Sequence, residues 1–490
     1  MRWLSALVLL MGVAADAAAT EDATDADRPN VVIVFADDLG YGDLSCYGST
    51  KIETPHLDRL AAEGRRLTSF VLPASVCTPS RAALLTGCYP KRVGLNGVLF
   101  PKDNIGLNPS ELTMAELFKR AGYATACVGK WHLGHYPETL PLAHGFDSYL
   151  GIPYSNDMNH PDNSGKADAL RRDAAWREMG RAAGLWRTPL VEGDELVELP
   201  VDQRTITRRY TDRAIEFVTR HAGGADAKPF FLYLPHSMPH VPLFVPEDAY
   251  DPDPTNAYTC TVEHIDAEVG RLIDTIRDLG LEEDTIVVFT SDNGPWLTFK
   301  NHGGDAGPLR SGKGSQFEGG HRVPCVVWAP GRVAAGSESG EFVSSMDLMP
   351  TFAKLLDQPL GPGSIDGLEV AGTLFGDEPS PRDELLYYRG NGKPTAIRCG
   401  DWKLVLPSAK KKSKKKDEKK PAEVERKPPP SPLLFNLADD VGEQHDLATE
   451  RPELVAELTA LMQLRDAEVT AGARPAWKTE SPHPWPTDLN

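Results

Sequence analysis

The chain has 490 residues, 41% of them hydrophobic, and a formal net charge of −18 at pH 7. This length allows more than one domain, and this apolar content is typical of a globular protein with a sizeable core. The acidic balance argues against nucleic acid as the main partner, because a phosphate backbone requires a basic surface.

The amino terminus has the pattern of an export signal. Met1-Arg2-Trp3 precede an apolar run from Leu4 to Ala15, and Ala17-Ala18-Ala19 offer small side chains for cleavage. We therefore expect residues 1–19 to be removed and the protein to be exported, to a periplasm or to the exterior; a retained N-terminal anchor is the alternative. No later apolar run approaches the roughly 20 residues that a membrane-spanning helix needs, so stable membrane insertion is not expected.

Buried strands and amphipathic helices are predicted to alternate from residue 30 onward. Apolar runs without polar alternation are typical of strands covered on both faces, and they occur at 30–36, 123–128, 229–234, 285–290 and 323–329. Helix-start residues and 3.6-residue periodicity predict helices from Thr54-Pro55, from Ser110, over 208–222 and through 262–280. The order strand, helix, strand predicts an α/β fold with a mainly parallel sheet between layers of helices.

Acidic and amide side chains follow two of these strands. Asp37 and Asp38 come directly after the first strand, where adjacent carboxylates repel unless a cation lies between them; capping of a turn would explain only one of the two. Asp292 and Asn293 follow the strand at 285–290. Because strand ends gather at one edge of a doubly wound sheet, we expect the two pairs to meet. The oxygens of these side chains favour a hard divalent cation, and Ca²⁺ more than Mg²⁺. They disfavour zinc, which prefers nitrogen and sulfur ligands.

Basic side chains follow other strands. Lys130 and His132 come after the strand at 123–128, His240 comes after the strand at 229–234, and Gly312-Lys313-Gly314 places a lysine between glycines. In an acidic protein, such a local concentration of positive charge would suit a pocket that binds an anion.

The stretch Cys77-Thr78-Pro79-Ser80-Arg81 is the most specific one in the chain. It is followed by a helix-favouring run, 82–87, and its proline suits a first helical turn. A thiol at a helix N-terminus is expected to have a lowered pKa, and Arg81, about one turn later, could bind an anion. A plain buried cysteine is the structural alternative for Cys77.

The stretch from Cys77 to Gly87 resembles the signature of the type I sulfatases. Further motifs fall in that family's order over nearly the whole chain: Asp37-Asp38, 129–134, His240, 292–294, 312–314 and 434–437. The motifs at 144–147 and 151–155 are most similar to the arylsulfatase A and G branch, with the N-acetylgalactosamine-6-sulfatases close by. The resemblance implies an alkaline-phosphatase-like fold. A Lys-rich insertion departs from the family pattern.

The resemblance also implies a chemistry. Cys77 would be oxidised to formylglycine by a formylglycine-generating enzyme, and the hydrated aldehyde would attack the sulfur of a sulfate monoester on a small molecule or glycan. Asp292 would take the nucleophile's proton, His240 or Lys313 would protonate the leaving alcohol, and His132 would assist sulfate release. The implied catalytic residues are Cys77, Arg81, Lys130, His132, His240 and Lys313. The implied ligands of one Ca²⁺ ion are Asp37, Asp38, Cys77, Asp292 and Asn293.

The remaining sequence predicts the domain organisation. Residues 20–350 are expected to form the catalytic domain. Residues 351–475 are expected to form a smaller α+β domain built on an antiparallel sheet, with strands near 386–388, 396–398 and 402–405 and a closing helix at 452–465.

The segment 408–431 is predicted to be a disordered Lys- and Pro-rich loop. Ten basic residues against four acidic ones give 410–427 a net charge of +6. A polyanion-binding role is the alternative for this loop. Residues 476–490 form a tail, and the polar segment 152–201 is expected to border the pocket and set specificity.

Two other functions remain open from the sequence. A phosphodiesterase or phosphonate hydrolase of the same superfamily would use a similar metal edge, and a catalytically silent protein that binds sulfated glycans would leave Cys77 unmodified. Six cysteines besides Cys77 permit many disulfide pairings, and the sequence does not choose between them.

Overall fold

The computed structural model describes residues 28–159, 168–182, 184–224, 227–361, 363, 365–407 and 431–485. The predicted leader at 1–19 and, apart from Ser431, the predicted insertion at 408–431 lie outside the described residues. Across the described ranges, no helix combines the length and the apolar content needed to cross a bilayer.

The described residues form short and medium strands and helices throughout the chain. The strands are β1 (Asn30–Ala36), β2 (Arg65–Leu67), β3 (Phe70–Val71), β4 (Ile105–Gly106), β5 (Ala124–Val128), β6 (Ser148–Gly151), β7 (Leu190–Glu192), β8 (Glu195–Glu198), β9 (Phe230–Pro235), β10 (Thr285–Ser291), β11 (Cys325–Trp328), β12 (Ser337–Ser339), β13 (Val343–Ser344), β14 (Glu384–Tyr388), β15 (Pro394–Cys399), β16 (Trp402–Val405), β17 (Leu433–Asn436) and β18 (Trp477–Lys478). The helices are α1 (Pro55–Glu63), α2 (Cys77–Thr86), α3 (Met114–Arg120), α4 (Asp168–Arg177), α5 (Met179–Ala182), α6 (Ile206–His221), α7 (Ala257–Asp278), α8 (Glu318–His321), α9 (Leu348–Leu355), α10 (Ala371–Phe375) and α11 (Pro452–Ala471).

The large sheet has ten strands in the order β12-β2-β11-β10-β1-β9-β5-β6-β7-β8. Its five central strands, from β10 to β6, are all parallel. Strand β11 runs antiparallel to both of its neighbours, and β7 and β8 add an antiparallel edge. The mixed, mainly parallel sheet between helices confirms the predicted fold class. An apolar run gives no strand direction, so the antiparallel orientation of β11 could not be read from the sequence.

Strand β1 shows why its apolar run lacks alternation. Val32 and Val34 pack in a core cluster with α1, α6 and α7, whereas Ile33 and Phe35 pack on the opposite face with α2, α3 and α9. All four side chains are completely buried. A strand covered on both faces must be apolar at successive positions, so the sequence pattern and the two-layer packing have one cause.

Several helix boundaries differ from those predicted. Helix α3 begins at Met114 and not near Ser110, because Thr113 and Glu116 form a capping box: the Glu116 amide donates to Thr113 Oγ1 (3.2 Å), and the Thr113 amide donates to the Glu116 carboxylate (2.8 Å). Helix α7 begins at Ala257, one turn before the predicted start, and α11 continues to Ala471.

The C-terminal part contains the predicted antiparallel sheet. Strands β14, β15, β16 and β17 form it in that order, and α11 packs Leu458, Met462 and Val469 against it. Helix α9 crosses position 350 and packs Phe352 into the core around the large sheet. The polar segment 152–201 contributes β7 and β8 to the edge of that sheet and buries Trp176 and Trp186 in its core.

A buried ion cluster joins the C-terminal sheet to α8. The Lys403 ammonium, on β16, lies 2.7 Å from Glu318 Oε1 and 3.0 Å from Glu443 Oε1, and all three side chains are completely buried. The Tyr387 hydroxyl donates to the same Glu318 oxygen (2.9 Å). Burial alone would raise the pKa of Glu318, but Lys403 and Arg398 outweigh burial and lower it to about 2. Because one ammonium serves two carboxylates, its loss would remove the closest cation from both of them.

Lys403→Met should destabilise the protein by about 3–5 kcal/mol, because two buried carboxylates lose their shared cation. Equilibrium denaturation monitored by tryptophan fluorescence measures the change. Arg59→Ala is the control: it removes an exposed ion pair with Glu63 and should leave the midpoint nearly unchanged. Equal midpoints for both variants would show that the cluster adds nothing to the stability of the fold.

Candidate active site

The five parallel strands deliver polar side chains to one edge of the sheet. Ala36 pairs with Ser291 in the β1–β10 register, so the residues that follow them emerge side by side. The Asp38 amide donates to Asp292 Oδ1 (3.1 Å), and Asn293 Nδ2 donates to Asp38 Oδ1 (2.7 Å). The expected meeting of the two strand ends is therefore present. The full set at this edge is Asp37 and Asp38 after β1, Asp292 and Asn293 after β10, His240 after β9, Lys130 and His132 after β5, and Ser155 and Asn156 after β6.

Cys77 is the first residue of α2, as its proline at the third position predicts. Its Sγ lies 3.6 Å from Asp37 Oδ1 and 3.4 Å from Lys313 Nζ, and the residue is 2% exposed. Burial, reinforced by Asp292, raises the pKa of the thiol. The expected lowering of this pKa by the helix N-terminus is therefore wrong, because desolvation and nearby carboxylates outweigh the helix dipole.

Arg81 lies one turn further along α2 and is completely buried. Its Nε and Nη2 donate to Asp292 Oδ2 (3.0 and 2.8 Å), and its Nη1 donates to the Lys130 carbonyl (2.9 Å). Burial would raise the pKa of Asp292, but Arg81 and then Lys130 outweigh it, so this pKa lies below its usual value. The forked guanidinium fixes the end of β10 and the end of β5 to the same helix.

Two lysines contact the Asp37–Asp38 pair. Lys130 Nζ lies 2.5 Å from Asp37 Oδ2 and 2.9 Å from Ser155 Oγ. Lys313 Nζ lies 2.6 and 2.8 Å from the two Asp38 carboxylate oxygens. The loop that carries Lys313 packs closely on the chain after β10, since a Cβ at Gly312 would lie 2.2 Å from the Pro295 carbonyl. A glycine next to Lys313 is thus a requirement of this packing.

The two predicted histidines present different nitrogens. His132 Nε2 pairs with the Leu99 carbonyl (2.9 Å), which makes Nε2 the protonated nitrogen and leaves the buried Nδ1 without a hydrogen-bond partner. His240 Nδ1 faces the Val241 carbonyl (2.7 Å), so its Nε2 is the nitrogen directed at Ser155 Oγ (3.3 Å). Burial lowers the pKa of both imidazoles well below the usual value. Both rings are therefore neutral near pH 7.

The residues present fit a divalent cation. Ligand atoms of Asp37, Asp38, Cys77 and His240 all lie within 4.8 Å of one another and are buried. Asn293 Oδ1 is also buried and has no hydrogen-bond partner. Burial raises the pKa of Asp37 to about 7 and also raises that of Asp38, a cost that a bound cation would offset.

The donor set differs in detail from the predicted one. His240 is within reach of the carboxylates, although the sequence placed only oxygen ligands and Cys77 there. Asp292 directs one oxygen at Arg81 and the other at the Asp38 amide. The carboxylates and the free amide oxygen suit a hard cation, whereas imidazole and thiol are also ligands for zinc. This geometry fits a divalent cation without selecting Ca²⁺.

Sequence reasoning missed three residues beside the site. Ser155 bridges Lys130 and His240, Asn156 contacts His240 Nδ1 (3.0 Å), and the Trp296 ring lies 4.4 Å from Lys313 Nζ. Ser155 and Asn156 follow β6, so they carry the same signal as the other site residues, a polar side chain after a parallel strand. That strand is only four residues long, too short for the sequence pattern to predict where it ends.

The mainly parallel sheet between layers of helices is an alkaline-phosphatase-like fold. A family model described as Sulfatase matches residues 29–358, and a model described as the C-terminal region of aryl-sulfatase matches residues 380–487. The chain therefore belongs to the sulfatase family of sulfuric ester hydrolases, as the sequence motifs predicted.

Individual relatives support the predicted branch. The chain is 38% identical to arylsulfatase A of Homo sapiens over 474 residues, which cover 93% of this chain and 91% of that protein. It is 35% identical to N-acetylgalactosamine-6-sulfatase of Mus musculus over 463 residues, covering 89% and 85%. The crystal structure of Ps i-CgsB in complex with k-i-k-neocarrahexaose superposes with a TM-score of 0.73 at 29% identity, covering 90% of this chain and 93% of that one.

Protein that retains the Cys77 thiol should resist alkylation at this residue while folded, because the thiol is buried and its pKa is raised. Timed iodoacetamide labelling with peptide mass spectrometry, before and after denaturation, measures the difference. The partly exposed Cys399 is the internal control and should label faster in the folded protein. Labelling of native Cys77 at the rate of Cys399 would contradict the buried position.

Proposed function

We propose that this protein is an arylsulfatase-type hydrolase that removes sulfate from a sulfated carbohydrate, with Cys77 matured to formylglycine and with one bound Ca²⁺ ion. The observation that carries the proposal is the position of Cys77. It begins a buried helix, and its sulfur contacts both Asp37 and Lys313, in the midst of the charged groups gathered at the strand ends.

Two groups would complete the chemistry. Formylglycine at position 77 would supply a hydrated aldehyde, with one hydroxyl as the nucleophile toward sulfur and a second hydroxyl that allows sulfate release, which an ordinary serine or cysteine lacks. A divalent cation would lower the pKa of a nearby hydroxyl and neutralise a sulfate oxygen. Asp37, Asp38 and Asn293 are the residues that would hold this cation, with Asp292 beside them and His240 within reach.

The chain's own cations bind and orient the sulfate. Lys130 and Lys313 place their ammonium groups on opposite carboxylates of the Asp37–Asp38 pair, and Lys313 also contacts Cys77. Arg81 holds Asp292 and the Lys130 backbone in place through three hydrogen bonds. These preorganised donors would stabilise the negative charge that develops as the ester is cleaved.

The contacts refine the expected proton transfers. Asp37 is the carboxylate in hydrogen-bond contact with Cys77, whereas Asp292, the expected acceptor of the nucleophile's proton, is held by Arg81. His132 offers its unpartnered Nδ1 as an acceptor during sulfate release. Of the two expected proton donors, Lys313 and His240, only Lys313 is charged, so it is the proton donor for the leaving alcohol. His240 directs an unprotonated Nε2 at the site.

The substrate class and the location are part of the proposal. The relatives include an N-acetylgalactosamine-6-sulfatase and a structure bound to a neocarrahexaose, which supports a sulfated carbohydrate. Export to a periplasm or to the exterior is supported by the leader-like sequence at 1–19. Maturation then requires a formylglycine-generating enzyme in the producing cell.

Peptide mass spectrometry across residues 66–92 of protein from its native host should show the mass loss of thiol-to-aldehyde conversion at Cys77. Cys77→Ala should abolish hydrolysis of 4-nitrophenyl sulfate without changing the unfolding midpoint, because the nucleophile is lost and the core is not. Cys260→Ala is the matched control and should retain activity. An unmodified Cys77 in the native host would refute this mechanism and favour a silent glycan-binding protein.

Calcium should raise the thermal midpoint of EDTA-treated protein, because a ligand that binds only the folded state stabilises it, by about 2.7 kcal/mol at 100 times its Kd. Asp38→Asn should remove most of this shift, whereas Asp274→Asn, at an exposed position, should retain it. Differential scanning fluorimetry with Ca²⁺, Mg²⁺ and Zn²⁺ checks the ion's identity. A larger shift with Zn²⁺ than with Ca²⁺ would overturn the assignment of the cation.

A further inference from the structure

His240 lies in a long loop, five residues after β9 ends, yet its ring is held on both sides. Nδ1 faces two oxygens, Asn156 Oδ1 at 3.0 Å and the Val241 carbonyl at 2.7 Å. Two acceptors at one ring nitrogen require a proton there. The other nitrogen, Nε2, faces Ser155 Oγ at 3.3 Å and lies 3.7 Å from Asp38 Oδ2 within the site.

The orientation of the Asn156 amide follows from its other contacts. Its Nδ2 faces Gln203 Oε1 (3.0 Å), the Pro242 carbonyl (3.0 Å) and the His240 carbonyl (3.4 Å). Two of these partners are backbone carbonyl oxygens, which can only accept a hydrogen bond. The NH₂ group must therefore point away from the ring, and the side-chain oxygen must point at His240 Nδ1.

Gln203 is fixed in the same way. Its Nε2 donates to the Asn156 carbonyl (3.1 Å), so its Oε1 is the atom that receives the Asn156 amide. Both side chains are almost completely buried, at 0% and 1% exposure. In a buried network each amide fixes the next, so this pair has a single low-energy arrangement.

The second acceptor cannot replace this pair. The Val241 carbonyl belongs to the same loop as His240 and moves with it, so it fixes the ring only relative to its own loop. Asn156 follows β6, and β5 lies between β6 and β9 in the sheet. The Asn156 contact therefore ties the loop after β9 to another strand end, across the residues that carry Lys130.

From this geometry we infer that Asn156, locked by Gln203, is a positioning residue that holds the His240 ring in place against the segment after β6, with Nδ1 as donor and Nε2 directed at the reacting ester. The segment 152–201, expected from the sequence to set specificity, thus also supports catalysis. The effect on activity rests on the proposed sulfatase function, whereas the effect on the imidazole does not.

The test is Asn156→Leu, which removes the acceptor. The ¹⁵N and attached-proton spectrum of the imidazole, assigned by difference with His240→Gln, should show one protonated Nδ1 in wild type. In Asn156→Leu the Val241 carbonyl should keep Nδ1 protonated, but the Nδ1–H resonance should shift upfield and broaden, because one of its two acceptors is lost and the ring can reorient. Loss of a group that orients a functional imidazole typically costs about 10- to 100-fold in activity, so kcat of the Leu variant on 4-nitrophenyl sulfate should fall by that factor. The inhibition constant of inorganic sulfate should change less than about twofold, because the cations that bind it are untouched.

Thr188→Val is the matched control. The Thr188 hydroxyl donates only to the Asn156 backbone carbonyl (3.1 Å), so its loss loosens the same segment without touching the imidazole. It should keep the wild-type spectrum and kcat. An unchanged spectrum and kcat in Asn156→Leu would overturn the inference, as would an equal loss in Thr188→Val. Matured wild-type protein that cleaves no sulfate ester would refute the proposed function, and the spectra would then decide the inference alone.

Discussion

The balance of buried charge at the sheet edge is the constraint on which the rest of the site depends. Three carboxylates, Asp37, Asp38 and Asp292, face three cations, Arg81, Lys130 and Lys313, and nearly all of these groups are removed from water. Buried charges are tolerated only when they are paired and hydrogen-bonded. Because the protein groups already balance, a divalent cation and the doubly charged sulfate ion that the reaction releases can occupy the pocket together without leaving net charge there.

This balance depends on strand register. A parallel sheet brings the carboxyl ends of its strands to one edge, and the pairing of Ala36 with Ser291 places two acidic loops side by side across more than half of the chain. The sequence therefore predicted the meeting of Asp37 and Asp38 with Asp292 and Asn293, since it needed only two buried apolar runs and the residues that follow them. Strand β1 was predicted to the residue for the same reason, because full burial on both faces leaves an unmistakable pattern.

What the sequence could not predict depends on distances between side chains. The antiparallel direction of β11, the ion cluster around Lys403 and the contact of Ser155 with two site residues all arise from pairings between remote segments. The raised pKa of the Cys77 thiol is another example. A helix N-terminus is a local feature and predicts a lowered pKa, whereas desolvation by the surrounding core is a tertiary effect and is the larger one.

The histidines show how far tertiary contacts determine chemistry. Residue identity predicts that an imidazole can donate or accept a proton, but not which nitrogen does so. In His132 the Leu99 carbonyl fixes Nε2 as donor, and in His240 the two oxygens at Nδ1 fix the opposite tautomer. The two rings thus present different nitrogens as acceptors, and the distinction comes from a loop carbonyl in one case and from the segment after β6 in the other. Motifs identify which residues form such a site, whereas the segments packed around them determine which atom of each residue can react.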